Sequence, residues 1–237
     1  MFMAAAPDRR SEPGDEIAEE DIVERIFEAV VEQRLPPGTK LSESALCRAF
    51  GVGRMRIRRS LLLLASREVV ELHSNRGAFV ASPDAAQARE VFEARILIEP
   101  NVARLAAERA SPADIEALAA HLSREELAHA SDNRHEAIRL SGQFHVALAR
   151  IAANGVMERM IKELVTRTSL IIGIFSAPGI ANCRDDDHGL ILRALRARDG
   201  AGAAGLMADH LRHIQSNLDL TRGSPRSVDL VEIFSTP

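Results

Sequence analysis

A chain of 237 residues with 30 basic and 34 acidic side chains has a formal net charge of −4, and 46% of it is apolar. That length accommodates one large or two modest domains, each able to bury a core. No stretch approaches the roughly 18 consecutive apolar residues of a membrane-spanning helix, and Cys47 and Cys183 are too few for a disulfide framework, so membrane proteins and small secreted scaffolds are excluded.

MFMAAAPDRR carries its charge after its short apolar run, so it does not read as a secretory leader, and a reduced, cytoplasmic setting is expected. Residues 1–18, rich in Ala, Pro, Gly and charge, read as disordered. Asp21 to Leu35 reads as an amphipathic helix that Pro36-Pro37-Gly38 ends. Ser42 is placed to N-cap a helix over Glu43–Phe50. Gly51-Val52-Gly53 suits a sharp turn, with Gly51 at positive φ. A second helix follows, with Arg54, Arg56, Arg58 and Arg59 mostly off the stripe formed by Ile57, Leu61 and Leu64. Val69–Leu72 and Ala78–Val80 read as the strands of a hairpin turned by His73 to Gly77, from which Arg76 can reach a phosphate. This is the outline of a winged helix-turn-helix, whose arginine-rich helix fits a DNA major groove. Charge agrees. Between Arg34 and Arg76 nine basic residues face three acidic ones, net +6, while the rest of the chain is at −10. One basic module on an acidic protein marks a site for a polyanion.

PGTKLSESALCRAFGVGRMRIRRSLLLL followed by NRGAFV resembles the DNA-binding domain of the GntR family of bacterial transcription regulators, from about Ile22 to Val80. The resemblance implies that Arg54 and Arg58 contact an operator and that the wing tip at Gly77 approaches the minor groove. The candidate DNA-binding set is Ser42, Arg54, Arg56, Arg58, Arg59, Arg76 and Gly77. The chain departs from the family pattern at three positions: Gly53 replaces a serine, Arg56 a proline and Arg59 a glutamate. Its operator therefore cannot be borrowed from relatives.

From Asp84 onward only helices are expected. Asp84–Arg109 is long, and Pro100 should kink it. Ser111-Pro112 opens a helix to about His129. Asp132 caps another to about Ala152, where Asn154-Gly155 breaks it. Val156 to about Phe175 follows, then a loop over Ser176–Arg184 containing Pro178-Gly179. Asp185–Arg198 is broken by Asp199-Gly200, and the last helix spans about Ala203 to Leu220. The tail from Thr221 looks loose, with a short apolar contact expected at Leu230 to Phe234. The segments VFEARILIEPNVARLAAERA, QFHVALARIAANG, DDDHGLILRALRARDG and LMADHLRHI resemble the all-helical FCD ligand-binding domain of the FadR-like GntR branch. The expected fold is mainly α. A winged helix-turn-helix with a small β-hairpin wing (19–81) is followed by an all-α helical bundle for effector binding and dimerisation (84–222), with a tail over 223–237.

Three histidines lie on three of these helices. His188 and His210, 22 residues apart across a helix, a turn and a returning helix, can reach similar heights, and His145 can join them on one metal. Neutral imidazoles suit Zn or Ni. The resemblance places all three at the histidine positions of metal-binding FCD proteins, but the usual acidic fourth ligand is here Ser141. Weaker binding completed by water or an effector oxygen, or loss of the site, are both consistent with that serine. His213 is a lesser substitute, and His73, His121, His129 and His135 read as surface residues. The family also has an arginine at the position of Arg95 that pairs with the effector's carboxylate, as a planar fork can. The competing reading is an ordinary surface ion pair with Glu99. Cys183 reads as a plain thiol beside Asp185 to Asp187.

The function expected is a homodimeric, ligand-responsive regulator, most often a repressor, on a roughly palindromic double-stranded operator. Its effector would be a small carboxylate. Alternatives are a DNA-binding protein whose helical part only dimerises and, more remotely, a metal-dependent hydrolase, which lacks a general base at a fixed spacing and has no use for the arginine helix.

Overall fold

The computed structural model describes residues 17–176, 186–221 and 230–235. The expectations for residues 1–16, Pro178-Gly179, Cys183 and Asp185 fall outside that range. Helix α1 (Glu19–Val31) buries Ile22, Val23, Ile26, Ala29 and Val30 along one face. It ends four residues before the predicted Leu35. Gln33 turns into the left-handed region at φ 59°, and the Leu35 N–H closes onto the Ala29 carbonyl at 2.8 Å, so the helix stops before the prolines. Helix α2 (Glu43–Phe50) and helix α3 (Arg54–Ser66) are joined through Gly51, whose φ of 66° is one that a side chain would strain. Ser42 stands at the N-cap of α2, but its hydroxyl meets Ser44 Oγ at 3.0 Å and not a backbone N–H.

The hairpin forms as strands β2 (Val70–His73) and β3 (Gly77–Val80), paired antiparallel with Val70 opposite Val80. A third strand, β1 (Lys40–Leu41), pairs with β3 and makes β3 the centre of the sheet. The sequence reading missed β1, because two residues show no alternation.

The rest is helical. Helix α4 (Ala85–Arg109) opens on a capping box between Asp84 and Gln87 and runs through Pro100. Helix α5 (Pro112–Ala130) opens on the same device, built from Ser111 and Asp114. Helix α6 (Arg134–Ile151) is capped by Asn133 and not by the predicted Asp132, which lies at φ 53°. Helix α7 (Gly155–Phe175) begins at a glycine expected only to break the chain, since the Asn154 side chain accepts from the Val156 and Met157 N–H groups. Helix α8 (Asp187–Arg196) is shorter than predicted. Helix α9 (Gly200–Ser216) starts earlier, because Asp199 accepts from the Gly202 N–H.

The apolar contact expected at Leu230 to Phe234 forms. Helix α10 (Leu230–Ser235) sets Phe234 against Phe50 at 4.9 Å between ring centres. Leu230 and Phe234 thereby join the core of α1, α2, α3 and the sheet, as does Leu170 of α7. A second core lies among α4, α5, α6, α7, α8 and α9, with Phe144, Leu148, Ile161, Ile191 and Leu211 at its centre. Each fully buried side chain of this size contributes about 1.5–3 kcal/mol. Among the described residues no helix is long and apolar enough to cross a membrane.

Candidate functional site

Helix α3 buries Ile57, Ser60, Leu61 and Leu64 and leaves Arg54, Arg58 and Arg59 exposed. Arg54 and Arg58 are one turn apart, so they share a face. The first turn of α3 carries no acidic residue, and its free N–H groups add partial positive charge beside the arginines. Arg58 Nε donates to both carboxylate oxygens of Glu43, at 2.9 and 3.0 Å, across the helix-turn-helix. Arg56 is half-buried and donates to the Ile17 carbonyl at 3.1 Å, so it points back into the chain and not with the other three. Gly77 takes φ 94° at the start of β3, and the exposed Arg76 lies with its guanidinium 5.7 Å from the centre of the Phe79 ring.

The deeper site is built by α4, α5, α6, α8 and α9. Each of the last three supplies one histidine: His145, His188 and His210, with 3%, 6% and 1% exposure. Their ligand atoms lie within 4.8 Å of one another. Behind each ring stands a carboxylate. His145 Nδ1 is 2.6 Å from Glu99 Oε2, His188 Nδ1 is 3.0 Å from Glu125, and His210 Nδ1 is 3.1 Å from Asp187. A carboxylate accepts, so each Nδ1 carries its proton and each Nε2 presents a lone pair. His188 Nε2 and His210 Nε2 then face each other at 3.2 Å. Two lone pairs at that distance repel unless a cation lies between them. Zn–N bonds of about 2.0–2.1 Å in a tetrahedron put neighbouring nitrogens about 3.3–3.4 Å apart, so the donor set fits such an ion.

Burial deep in the bundle lowers the pKa of His145 to about 4, against the upward pull of Glu99, and Arg95 adds to the lowering. Burial likewise lowers that of His210, against its bond to Asp187. Both are neutral at pH 7, the form that binds metal. Burial alone would raise the pKa of Glu99, but Arg95 and His145 outweigh it and hold the group well below the usual carboxylate range.

Beside His145 is a cavity of about 60 Å³, lined in part by Arg95, Ser141, Thr168, Ser169 and Ile172. Ser141 sits one turn before His145 on α6. The Arg95–Glu99 ion pair forms, but in the interior and not at the surface: both side chains are buried, at 2% and 1% exposure. Arg95 Nε donates to Glu99 Oε1, and NH1 donates to Thr168 Oγ1 at 3.1 Å. Its second terminal nitrogen, NH2, is buried and has no partner among the described residues. A buried guanidinium N–H left unpaired is costly, and Arg95 lines the cavity.

The other histidines fall elsewhere. His213 lies 3.1 Å from Asn217 Nδ2, and His73 pairs with Glu71. His121 is half-buried and meets the Leu140 carbonyl at 2.8 Å, a correction to its reading as a surface residue. His135 is exposed but bonds the Glu32 carbonyl. His129 is exposed at the rim of the cavity. Sequence reasoning missed the roles of Glu99, Glu125, Asp187 and Thr168. Only the i, i+4 spacing of Arg95 and Glu99 gave a signal. Nothing in SREELAHA separates buried Glu125 from exposed Glu126.

Comparison with known proteins agrees with this architecture. Residues 18–80 match the model of the bacterial regulatory proteins of the gntR family, and residues 90–213 match the FCD domain. The HTH-type transcriptional regulator LutR of Bacillus subtilis is 27% identical over 206 residues, covering 78% of this chain and 93% of LutR. The HTH-type transcriptional repressor RspR of Escherichia coli is 28% identical over 193 residues, covering 80% and 83%. Among solved structures, a putative GntR regulator from Rhodococcus sp. RHA1 superposes with a TM-score of 0.74 at 21% identity, over 84% of this chain and 95% of that one. Escherichia coli McbR/YncC gives 0.72 at 20% identity, over 82% and 93%. At those identities the two structures speak for the fold alone. With the FCD match covering more than half of the chain and the gntR match preceding it, this protein belongs to the GntR family, in the FadR-like branch with an FCD domain, and is a DNA-binding transcription regulator and not an enzyme.

Proposed function

We propose that the protein is a homodimeric repressor of bacterial genes, acting in the cytoplasm, whose residues 84–222 sense a small carboxylate through a metal-assisted site and whose residues 19–81 bind a roughly palindromic duplex operator. The observation that carries the sensing half is the trio His145, His188 and His210, each ring fixed by its own carboxylate, next to a buried Arg95 with an N–H unpaired among the described residues. The three imidazoles would hold a divalent ion such as Zn or Ni, which would supply an open coordination position for an effector oxygen. Arg95 NH2 would take the effector's carboxylate. Ser141 adds no charge, so among the described residues the first ring of ligands is neutral.

On the DNA side, Arg54, Arg58 and Arg59 would enter the major groove, with Arg76 and Gly77 at the flanking backbone and minor groove and Ser42 near the phosphates. Arg56, turned toward Ile17, supports the helix more than it reads bases. Effector binding shifts the balance between two arrangements of the paired DNA-binding parts only by its difference in affinity for them.

Two measurements test this. In gel shifts with the protein's own upstream DNA, Arg54→Ala and Arg58→Ala should each weaken binding at least tenfold. If these contacts are to phosphates, the salt slope should fall by about 1 per arginine. Unchanged binding would remove both from the interface. Elemental analysis of purified His188→Ala should find the bound metal lost. A metal content equal to that of the wild type would place the ion elsewhere.

A further inference from the structure

Four arginines make α3 basic, yet the direction in which it points most squarely away from its own core is apolar. Ile57, Ser60, Leu61 and Leu64 define the buried side. At about 100° per residue, Met55 and Leu62 lie within about 30° of the direction opposite its midpoint. Both are exposed, Met55 at 64% and Leu62 at 58%. Arg58 lies about 60° to one side of Met55, and Arg59 about 40° to the other. We propose that Met55 is a specificity-determining residue that packs on the 5-methyl group of a thymine in the major groove, with Leu62 extending the same apolar strip. The operator then carries a thymine at a fixed place in each half-site. The proposal rests on the reading above that α3 enters the major groove.

A single exposed apolar side chain is ordinary on a protein surface. Here two lie on one face of one helix, two turns apart, with guanidinium groups on either side of the first. Seven residues span about 10 Å of helix axis, or about three base pairs of duplex. Toward its C-terminal end the strip meets the wing, where Leu62 shares a cleft with Leu72 and Gly77. The first turn of α3 has no acidic residue to repel a phosphate backbone.

Chemistry then selects the group that Met55 meets. Base pairs present donors and acceptors in the major groove, and the thymine methyl is the one apolar group among them. A thioether has no donor and is a weak acceptor, so it cannot satisfy a base nitrogen, carbonyl or amino group. It can take a methyl out of water, and its unbranched chain adapts to where that methyl lies. The arginines beside it supply the complementary part, holding phosphates or guanine edges and so fixing the register in which Met55 meets its base.

Uracil pairs as thymine does and lacks only that methyl, so the test removes one group from the duplex. Duplexes are first enriched from a random pool on the full-length protein. Each thymine of the enriched half-site is then replaced in turn by deoxyuridine, and affinity is read by fluorescence anisotropy for the wild type and for Met55→Ala. At one thymine per half-site, uracil should weaken wild-type binding about fourfold per methyl. In Met55→Ala the same replacement should cost less than about 1.5-fold, because the contact is already gone. An unchanged melting temperature of Met55→Ala checks that the exposed position leaves the fold alone.

An enriched half-site without thymine overturns the proposal, as does a wild type that tolerates uracil at every position. A uracil penalty equally large in Met55→Ala also overturns it, because another residue then reads the methyl. Failure of the groove reading itself looks different. In that case Arg54→Ala and Arg58→Ala bind the enriched duplexes as the wild type does, or no duplex is enriched, and the proposal falls with it.

Discussion

At the scale of single residues, the site is organised by which nitrogen of each imidazole holds the proton. Glu99, Glu125 and Asp187 fix that choice from behind, and the three Nε2 atoms converge as a result. Keeping these rings neutral in the bundle has a consequence for pH. His145 and His210 have folded pKa values below 6.5 because burial disfavours the charged ring. The unfolded chain therefore binds more protons than the folded one as pH falls below about 6.5. The stability these rings contribute is complete above that pH and declines as pH drops toward the folded value, about 4 for His145. The slope is about 1.4 kcal/mol per pH unit for each ring. Glu99, with its folded pKa below 4.5, adds a loss of the same sign at lower pH. Urea unfolding of the metal-free protein should give about 2 kcal/mol less stability at pH 5.5 than at pH 7.5. Equal midpoints at the two pH values would mean that the histidines are solvated.

Among the elements, the helix starts show how a side chain overrides a backbone tendency. Asn154-Gly155 and Asp199-Gly200 look like stops, since glycine is a poor helix former. In each case the preceding Asn or Asp accepts from N–H groups of the first turn and makes the glycine the first helical residue. The short helix α10 shows the opposite case, where local sequence has little say. Six residues cannot hold a helix alone. Leu230 and Phe234 hold it by entering the core of the DNA-binding part, and Arg25 donates to the Phe234 carbonyl at 3.1 Å. Phe234→Ala should destabilise that part by about 3 kcal/mol, seen as a lower melting temperature and faster hydrogen exchange in α2. If melting is unchanged, the contact of Phe234 with Phe50 contributes nothing.

Across the whole molecule, α7 belongs to both cores. Val165, Thr168, Ser169 and Ile172 line the cavity beside His145. Leu170 lies in the core of the DNA-binding part, the Ser169 carbonyl accepts from Gln33 Nε2 at 3.3 Å, and Arg167 pairs with Glu68 at the end of α3. Magnitudes separate these contacts. The Arg167–Glu68 pair is half in solvent and is worth less than about 1 kcal/mol. Leu170 is 1% exposed, and its truncation should cost about 2–5 kcal/mol. Leu170→Ala should therefore speed proteolysis between the two parts far more than Glu68→Ala does. A larger effect from Glu68→Ala would reverse this ranking.

The sequence by itself determined the order of helices, the winged motif, the basic face of α3 and the three histidines. Those depend on periodicity, turn chemistry and charge, which are written in neighbouring residues. It also carried the i, i+4 pairing of Arg95 with Glu99 but not its burial, because spacing along one helix says nothing about what packs over it. Only the tertiary structure decided that Glu125 and Asp187 stand behind His188 and His210, that Arg56 turns inward, that β1 completes the sheet, and that the tail returns to the first core. Each of these joins residues far apart in the chain, and burial, which made them matter, is a property of the packed whole.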